Sequence, residues 1–440
     1  MSVSSPCPAS VNGSLPAAAP QSSSLDDWLS YLERLHPSSI DLGLERIVSV
    51  RRRLGLAPKF AVITVGGTNG KGSTCAMLES CLRSAGYRTG CYMSPHLLRY
   101  NERVRIAAAE VNDSALVGAF QRIERARADT SLTYFEFGTL AALILFVEAG
   151  VDVAVLEVGL GGRLDAVNAF DPDCAVVVSV ALDHLDYLGA TRESIGYEKA
   201  GILRALKPAI VAEANPPVSL LEHARQIGAE LRLIDRDFGY VAQSVQWRFW
   251  DWRGRRDALP LPALRGSHQL VNASAALAAL DALRERLPVD NGAIRRGLAQ
   301  VELPARFQLL PGRPTLILDV AHNPHAAQRL SENLGQLDGR GSLLAVFAML
   351  KDKDIEGVVA PLAARVHKWF IAALAGPRGS DLERLHSALR AAGVTVPVLR
   401  CADVVNALQR AREGARLDDK ILVFGSFHTV AAALRALNRD

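Results

Sequence analysis

Three short, mostly apolar runs constrain this chain more than any other feature: "AVITV" from Ala61, "VDVAVLEV" from Val151 and "CAVVVSVAL" from Cys174. None alternates apolar with polar residues, so none fits a strand with one wet face. All are short and rich in β-branched valine, which favours strands over a buried helix. Between them lie helical patterns: "STCAMLESCLRSAG", closed by Gly86, and the strongly apolar "GTLAALILFVEAG". Strands buried on both faces, alternating with helices, predict a parallel sheet covered on both sides. A second alternation begins after residue 301: "PTLILDV", a helix from about residue 324, "GSLLAVFAM", "HKWFIAAL", "TVPVLR", "KILVFGS" and a final helix. A chain of 440 residues exceeds one core, so two α/β units are expected.

Other segments frame these units. Residues 1–23, rich in Ser, Pro and Ala, predict a disordered tail without the basic start and apolar core of a signal peptide. "SLDDWLSYLERL" then opens a helix, with Ser24 as cap and Trp28, Leu29, Leu32 and Leu35 on one face. The aromatic-rich "FGYVAQSVQWRFWDWRGRRDALPLPALRG" reads as a β-hairpin insertion, with nucleobase stacking as the alternative. "LRERLPVDNGAIRRGLAQVELPARF" reads as the transition between units. A net charge of +4, with Lys and Arg scattered, implies neither nucleic acid nor a membrane surface as partner. The six cysteines form no C-x-x-C pair and mostly sit in apolar stretches, which fits buried thiols in the cytoplasm.

Chemistry gathers at the strand ends. "VGGTNGKGST" carries Gly66, Gly67, Gly70 and Gly72 between a strand and a helix. Glycines let the backbone approach a ligand, and the helix start offers free N–H groups and a positive dipole end to phosphate. Lys71 adds a point charge, yet the strict G-x-x-x-x-G-K-[ST] spacing fails at Val65 and Gly72, so a variant loop is expected. The fold class is therefore α/β, a P-loop-type ATPase domain with a mostly parallel sheet, followed by a smaller Rossmann-like α/β domain. Glu157 ends an apolar strand, where an unpaired acid is costly and a cation, Mg²⁺ beside ATP, is the natural partner. His184 in "ALDHLDYLG" follows the third run, and Asp319, His322 and Asn323 end a strand of the second unit, with Arg306 upstream. Lys199 in "ESIGYEKAGIL" reads, on its own, as a solvated helix lysine.

Taken together, "GGTNGKGST", "SPHLLRYNERVRI", "YFEFGTLAAL", "LEVGLGGRLDAVN", "ALDHLDYLG", "ESIGYEKAGI", "GSHQLVNASAAL", "PARFQ", "DVAHNPHAA" and "GSFHTVA" resemble the folylpolyglutamate synthase/dihydrofolate synthase family of Mur-type amide ligases. The resemblance runs from Ser24 to Leu434. It implies a central ATP-binding domain over 24–301 and a glutamate-ligase domain over 302–440. It also implies a reaction: ATP phosphorylates the carboxylate of dihydropteroate or the γ-carboxylate of a reduced folate, and the amine of L-glutamate displaces the phosphate.

Roles carry over by resemblance alone. ATP would be held by Gly67, Thr68, Asn69, Gly70, Lys71, Gly72, Ser73, Thr74, Asn272, Arg306 and Asp319. One Mg²⁺ would be held by Ser94 and Glu157, a second by His184 and a carbamylated Lys199, and the family pattern leaves room for a monovalent cation. Lys71, Lys199, His184 and His322 would be catalytic. The pterin would lie near Phe135 and Asp165, and glutamate near Ser426 and His428. The family's usual form is a monomer. Ala305, Val320 and Gly66 depart from the usual Gly, Gly and Thr without removing a charged or ligand group. Two other readings compete: a cell-wall Mur ligase, which needs a UDP-binding domain of about a hundred residues where only about sixty precede the loop, and a non-enzymatic P-loop module.

Overall fold

The computed structural model describes residues 19–20, 24–38, 40–337 and 341–437. Most of the expected tail, residues 1–18 and 21–23, lies outside the described residues, while Ala19 packs against the first unit's core. An eight-stranded sheet forms the first unit. Six parallel strands run in the order Thr89–Tyr92, Val153–Glu157, Ala61–Gly66, Cys174–Val177, Pro208–Val211 and Glu230–Leu233. Val104–Ile106 and Ala109–Glu110 extend one edge antiparallel.

The apolar runs are continuous because both faces are covered. Ala61, Ile63, Val65, Val153 and Val155 face one core, with helices Lys71–Ser84, His268–Ala282 and Asn291–Gln300. Val62, Ala154 and Leu156 face the other, with helices Leu25–Leu35, Glu45–Arg53, Asp113–Arg127 and Tyr134–Ala149. The helix Tyr134–Ala149 is buried nearly all round, so its apolar sequence has no polar stripe. Thr133 and Glu136 box its start, each side chain accepting the other's backbone N–H at 3.2 and 2.8 Å. Ser24 caps the first helix by accepting from Asp27 N at 3.4 Å.

Two expectations change. The stretch expected as a transition contains the helix Asn291–Gln300, which packs on Lys71–Ser84, so the crossing to the second unit comes after it. The reason is visible at Gly297, whose missing side chain admits the Cys81 backbone. The aromatic insertion has three strands, Phe238–Ala242, Gln246–Asp251 and Gly254–Pro260, rather than two. Trp247 and Phe249 are fully buried in the first core, and Trp247 Nε1 donates to Pro260 O at 2.9 Å, so these rings serve packing.

The second unit is a six-stranded sheet ordered Gln308–Leu310, Thr315–Leu318, Lys420–Phe424, Leu343–Phe347, Lys368–Ala372 and Val398–Cys401. All but the first strand are parallel, and helices cover both faces. The five described cysteines are free and buried. Among the described residues no helix is long and apolar enough to cross a membrane.

Candidate active site

The parallel strands Ala61–Gly66, Val153–Glu157 and Cys174–Val177 are neighbours and end on one edge of the sheet, where crevices of α/β folds form. The glycine loop leaves the first of them. Gly70 caps the helix Lys71–Ser84 at φ +88°, a left-handed conformation, and a Cβ there would lie 2.5 Å from Asn272 Oδ1. No acid occupies the helix's first turn, so its dipole faces the crevice uncancelled. The neighbouring strand end fixes the loop: Asn69 N donates to Ser179 Oγ at 2.9 Å, and Thr68 Oγ1 donates to Ala181 O at 3.1 Å. Lys71 Nζ reaches Gly67 O at 3.0 Å.

Glu157 ends the second strand, 5% exposed. Ser94 N donates to its Oε2 at 3.0 Å. Burial raises its pKa, against Lys71 and then the Ser94 N–H, which favour the ionised form. A Cβ on Gly72 would lie 3.8 Å from Glu157 Oε1 and 3.7 Å from Arg306 Nη2, so loop, acid and arginine converge. His184 follows the third strand at φ +53°, an uncommon conformation for histidine. Burial, then Lys353 and His322 against the opposing Asp183, pushes it down to about 4, which leaves a neutral imidazole. Lys199 corrects the bland reading: it is 3% exposed, and its side chain makes no hydrogen bond or ion pair among the described residues. Burial, and then Lys71, pushes it down to about 7.

The second unit closes the crevice. Arg306 sits between two left-handed residues, Ala305 at φ +62° and Phe307 at φ +46°, and lies 5.0 Å over the Phe427 ring. The conformation at Ala305 explains why the resembled pattern carries glycine there. Burial lowers the Arg306 pKa, against Asp319 and Glu157. Asp319 accepts from Phe307 N at 2.8 Å and Ala321 N at 2.7 Å, so it shapes the turn that aims Arg306, and burial pushes it up to about 6. His322 Nδ1 lies 2.9 Å from Val320 O, which puts the proton on Nδ1 and leaves Nε2 an acceptor.

Asp183, passed over in the sequence beside His184, ties the units together. Its Oδ1 accepts from Lys353 Nζ at 2.6 Å, and its Oδ2 accepts from Asn323 Nδ2 at 3.1 Å. Lys353 Nζ also lies 3.2 Å from His184 Nε2. Burial opposes ionisation of Asp183, but His184 and Lys353 hold it well below the usual range. With His184 itself neutral, the Lys353 ammonium is the charge that does so at neutral pH. Asn69 and Asn323 exchange amide hydrogen bonds at 3.2 and 3.0 Å, and Asn69 Nδ2 lies 2.9 Å from His325 Nδ1.

Two joined cavities result. The smaller, about 230 Å³, is lined by Gly67 through Ser73, Ser94, Glu157, His184, Lys199, Arg306, Asp319 and His322. The larger, about 690 Å³, is lined by Phe135, Asp165, Arg103, Lys353, Arg378, Ser426 and His428. Ser94, His184, His322 and Phe427 border both. Thr74 and Asn272 stand behind the loop rather than on the cavity wall, and Asn272 Nδ2 donates to Gln269 Oε1 at 2.8 Å. Asp165 accepts from Leu160 N at 2.8 Å and Val167 N at 3.0 Å, capping the turn Ala166–Ala169, and burial pushes it up to about 7. Ser426 Oγ is 2.7 Å from Thr429 Oγ1.

No three His, Cys, Asp or Glu side chains converge as a metal cluster among the described residues. The donors present are of another kind: a buried carboxylate with one backbone hydrogen bond, beside a serine, and a neutral imidazole and a buried amine of lowered pKa on the wall of the same cavity. The first pair fits a hard divalent cation that takes its remaining ligands from phosphate oxygen and water.

Residues 65–280 match the Mur ligase middle domain, and residues 305–427 match the Mur ligase, glutamate ligase domain. The chain is 49% identical over 421 residues to the dihydrofolate synthase/folylpolyglutamate synthase of Escherichia coli K12, covering 95% of this chain and 97% of that one. The protein of the same name from Haemophilus influenzae is 43% identical over 430 residues, 93% and 96% of the two chains. Among solved structures, E. coli FolC in complex with DHPP and ADP aligns with a TM-score of 0.90 at 49% identity, over 94% of this chain and 98% of that one. A bifunctional folylpolyglutamate synthase/dihydrofolate synthase with Mn, AMPPNP and L-glutamate bound aligns at 0.89 with 46% identity, over 96% and 100%.

Proposed function

This chain belongs to the dihydrofolate synthase/folylpolyglutamate synthase family of Mur ligases, and from that premise we propose that its two cavities divide one reaction between them. The protein is an ATP-dependent ligase that adds L-glutamate to dihydropteroate and to the γ-carboxylate of reduced folates through an acyl phosphate. The observation that carries the division of labour is the border shared by the two cavities, at Ser94, His184 and His322. ATP fills the smaller cavity, its phosphates on the backbone of Gly67 through Ser73 and on Lys71, with Arg306 over them and Asp319 holding Arg306 in place. The pteroate or folate lies in the larger cavity near Phe135 and Asp165, and presents its carboxylate at the border.

Two anions must meet there, so their repulsion has to be cancelled. Divalent cations, held by Ser94 with Glu157 and by His184 with Lys199, supply that charge when bound. Related structures hold manganese with an ATP analogue. A second such site and a monovalent cation complete the proposed set of ions. A carbamate on Lys199 needs a neutral amine, and its pKa of about 7 makes one accessible. Glutamate reaches the border from the side of Ser426 and His428. Its ammonium must lose a proton before it attacks, and His322 Nε2, an unprotonated acceptor, takes it. Residues 24–301 act as the ATP-binding unit and 302–440 as the glutamate-ligase unit. Free buried thiols support a reducing, cytoplasmic compartment, the modest net charge argues against nucleic-acid or membrane partners, and the monomer is carried over as the family's usual form.

The test is an assay of purified protein with ATP and glutamate, comparing dihydropteroate with tetrahydrofolate. Phosphate release is expected with both. Release with neither would refute the assignment, and release with one alone would confine the enzyme to that substrate.

A further inference from the structure

The larger cavity has on its wall a guanidinium that the reaction described above leaves without a task. Arg103 ends the short helix Tyr100–Arg103, nine residues past Ser94. Its Nε donates to His96 Nδ1 at 2.9 Å, which makes that nitrogen an acceptor without a proton. Its Cζ lies 5.3 Å over the Tyr100 ring and 5.4 Å over the Tyr134 ring, so an imidazole and two phenol rings fix the direction of the fork. The two terminal nitrogens have no hydrogen-bond partner among the described residues, and neither is sealed from solvent.

The acids near this fork are engaged elsewhere. Glu102, its neighbour in the chain, accepts from Leu97 N, Leu98 N and Arg99 N at 2.6, 2.7 and 2.8 Å. Asp41 and Glu136 both accept from Arg46, at 2.7 and 3.3 Å. Asp165 accepts from two backbone N–H groups. Two other cations of the same wall already have acids: Lys353 holds Asp183 at 2.6 Å, and Arg378 holds Asp352 at 2.9 Å. A rigid fork that faces a cavity without an acid of its own is suited to an anion that enters the cavity.

Position and shape narrow that anion. Met93 N donates to Arg103 O at 2.9 Å, which ties Arg103 to the residue before Ser94, at the border of the two cavities. A guanidinium offers two parallel N–H groups at the spacing of carboxylate oxygens. The pterin ring is neutral and has no use for the charge. The carboxylate of the same substrate has.

We propose that Arg103, aimed by His96, grips the substrate carboxylate that is to be phosphorylated and holds it at the border of the two cavities. This rests on the reading of the larger cavity as the pteroate and folate site. The experiment measures equilibrium binding of dihydropteroate and of its carboxamide to the full-length enzyme, with manganese and a non-hydrolysable ATP analogue present. Dihydropteroate has a single carboxylate and no glutamate is added, so the ratio of the two Kd values reads that group alone. Wild type should prefer the acid. Arg103→Met should shrink the ratio roughly ten- to a hundredfold, as a charge-assisted pair is lost, and leave the Kd of the carboxamide near the wild-type value. A merely structural role would weaken acid and carboxamide together and leave the ratio alone. Arg103→Lys keeps the charge and the stem without the fork, and should shrink the ratio severalfold; it serves if the methionine variant does not fold. A wild type that binds acid and carboxamide alike, or an unchanged ratio in either folded variant, would overturn the inference. A wild type that binds neither compound would remove the reading of the larger cavity and this inference with it. Tight binding of dihydropteroate at a ratio indifferent to Arg103 would remove this inference alone.

Discussion

Replacing Glu157 by glutamine isolates one buried charge. The side chain is 5% exposed, and the one hydrogen bond it accepts comes from Ser94 N at 3.0 Å. Lys71 lowers its pKa, but burial is the larger effect and the net shift is upward from 4.5. A carboxyl with a raised folded-state pKa lends its stability below its unfolded value and loses it as pH rises through the folded one. At pH 8 the unfolded chain carries this group ionised in water, whereas the folded, ligand-free protein must bury the charge or bind a proton to avoid it. Glutamine keeps the shape and the Ser94 bond and removes the charge. An imperfectly satisfied buried polar group costs about 1–3 kcal/mol, so Glu157→Gln should gain about 1–2 kcal/mol at pH 8 and close to nothing at about pH 4, below the unfolded value. At about 2–4 °C per kcal/mol, Tm should rise by roughly 2–8 °C at pH 8. Thermal unfolding without nucleotide or metal reads this directly. The same variant should lose ATP-dependent ligation and the rise in Tm that manganese with an ATP analogue gives the wild type. A variant no more stable than wild type at pH 8, or equally stabilised at both pH values, would refute the reasoning.

Lys199→Ala should abolish turnover, and added short carboxylates should restore part of it, read as ADP release; full activity without them would exclude a carbamate ligand. Asp183→Ala leaves the Lys353 ammonium, 8% exposed, buried without its partner. Breaking such a pair costs about 3–5 kcal/mol, so Tm should fall and solution scattering should show a larger radius of gyration. An unchanged radius would mean that other contacts hold the units together.

The sheets were legible because a strand buried on both faces has little polar to interrupt it: Val153–Leu156 has no polar residue and Ala61–Val65 only Thr64. The loop was legible because glycines, lysine and a helix start are adjacent in the chain. Lys199 was not: one lysine in a short helix looks solvated until the fold buries it. Lys353 gave no signal within "MLKDKD", because its partners Asp183 and His184 are about 170 residues away. The role of Asp319 as an acceptor for two backbone N–H groups was equally hidden, since a strand-end acid reads as a ligand-binding group until its turn is seen. The third strand of the aromatic insertion escaped notice because "GRRDALP" carries polar residues at an exposed sheet edge.

The hydrogen bonds named across the crevice are polar, with Leu97 of the first unit packed on the second unit's core beside them. Asn69 to Asn323 and His325, and Asp183 to Asn323 and Lys353, join amides, imidazole, carboxylate and ammonium. Water can take over every one of these polar partners if the units part. A crevice fastened mostly by such polar pairs exposes little apolar surface when it opens, so parting of the units would carry a small risk of aggregation.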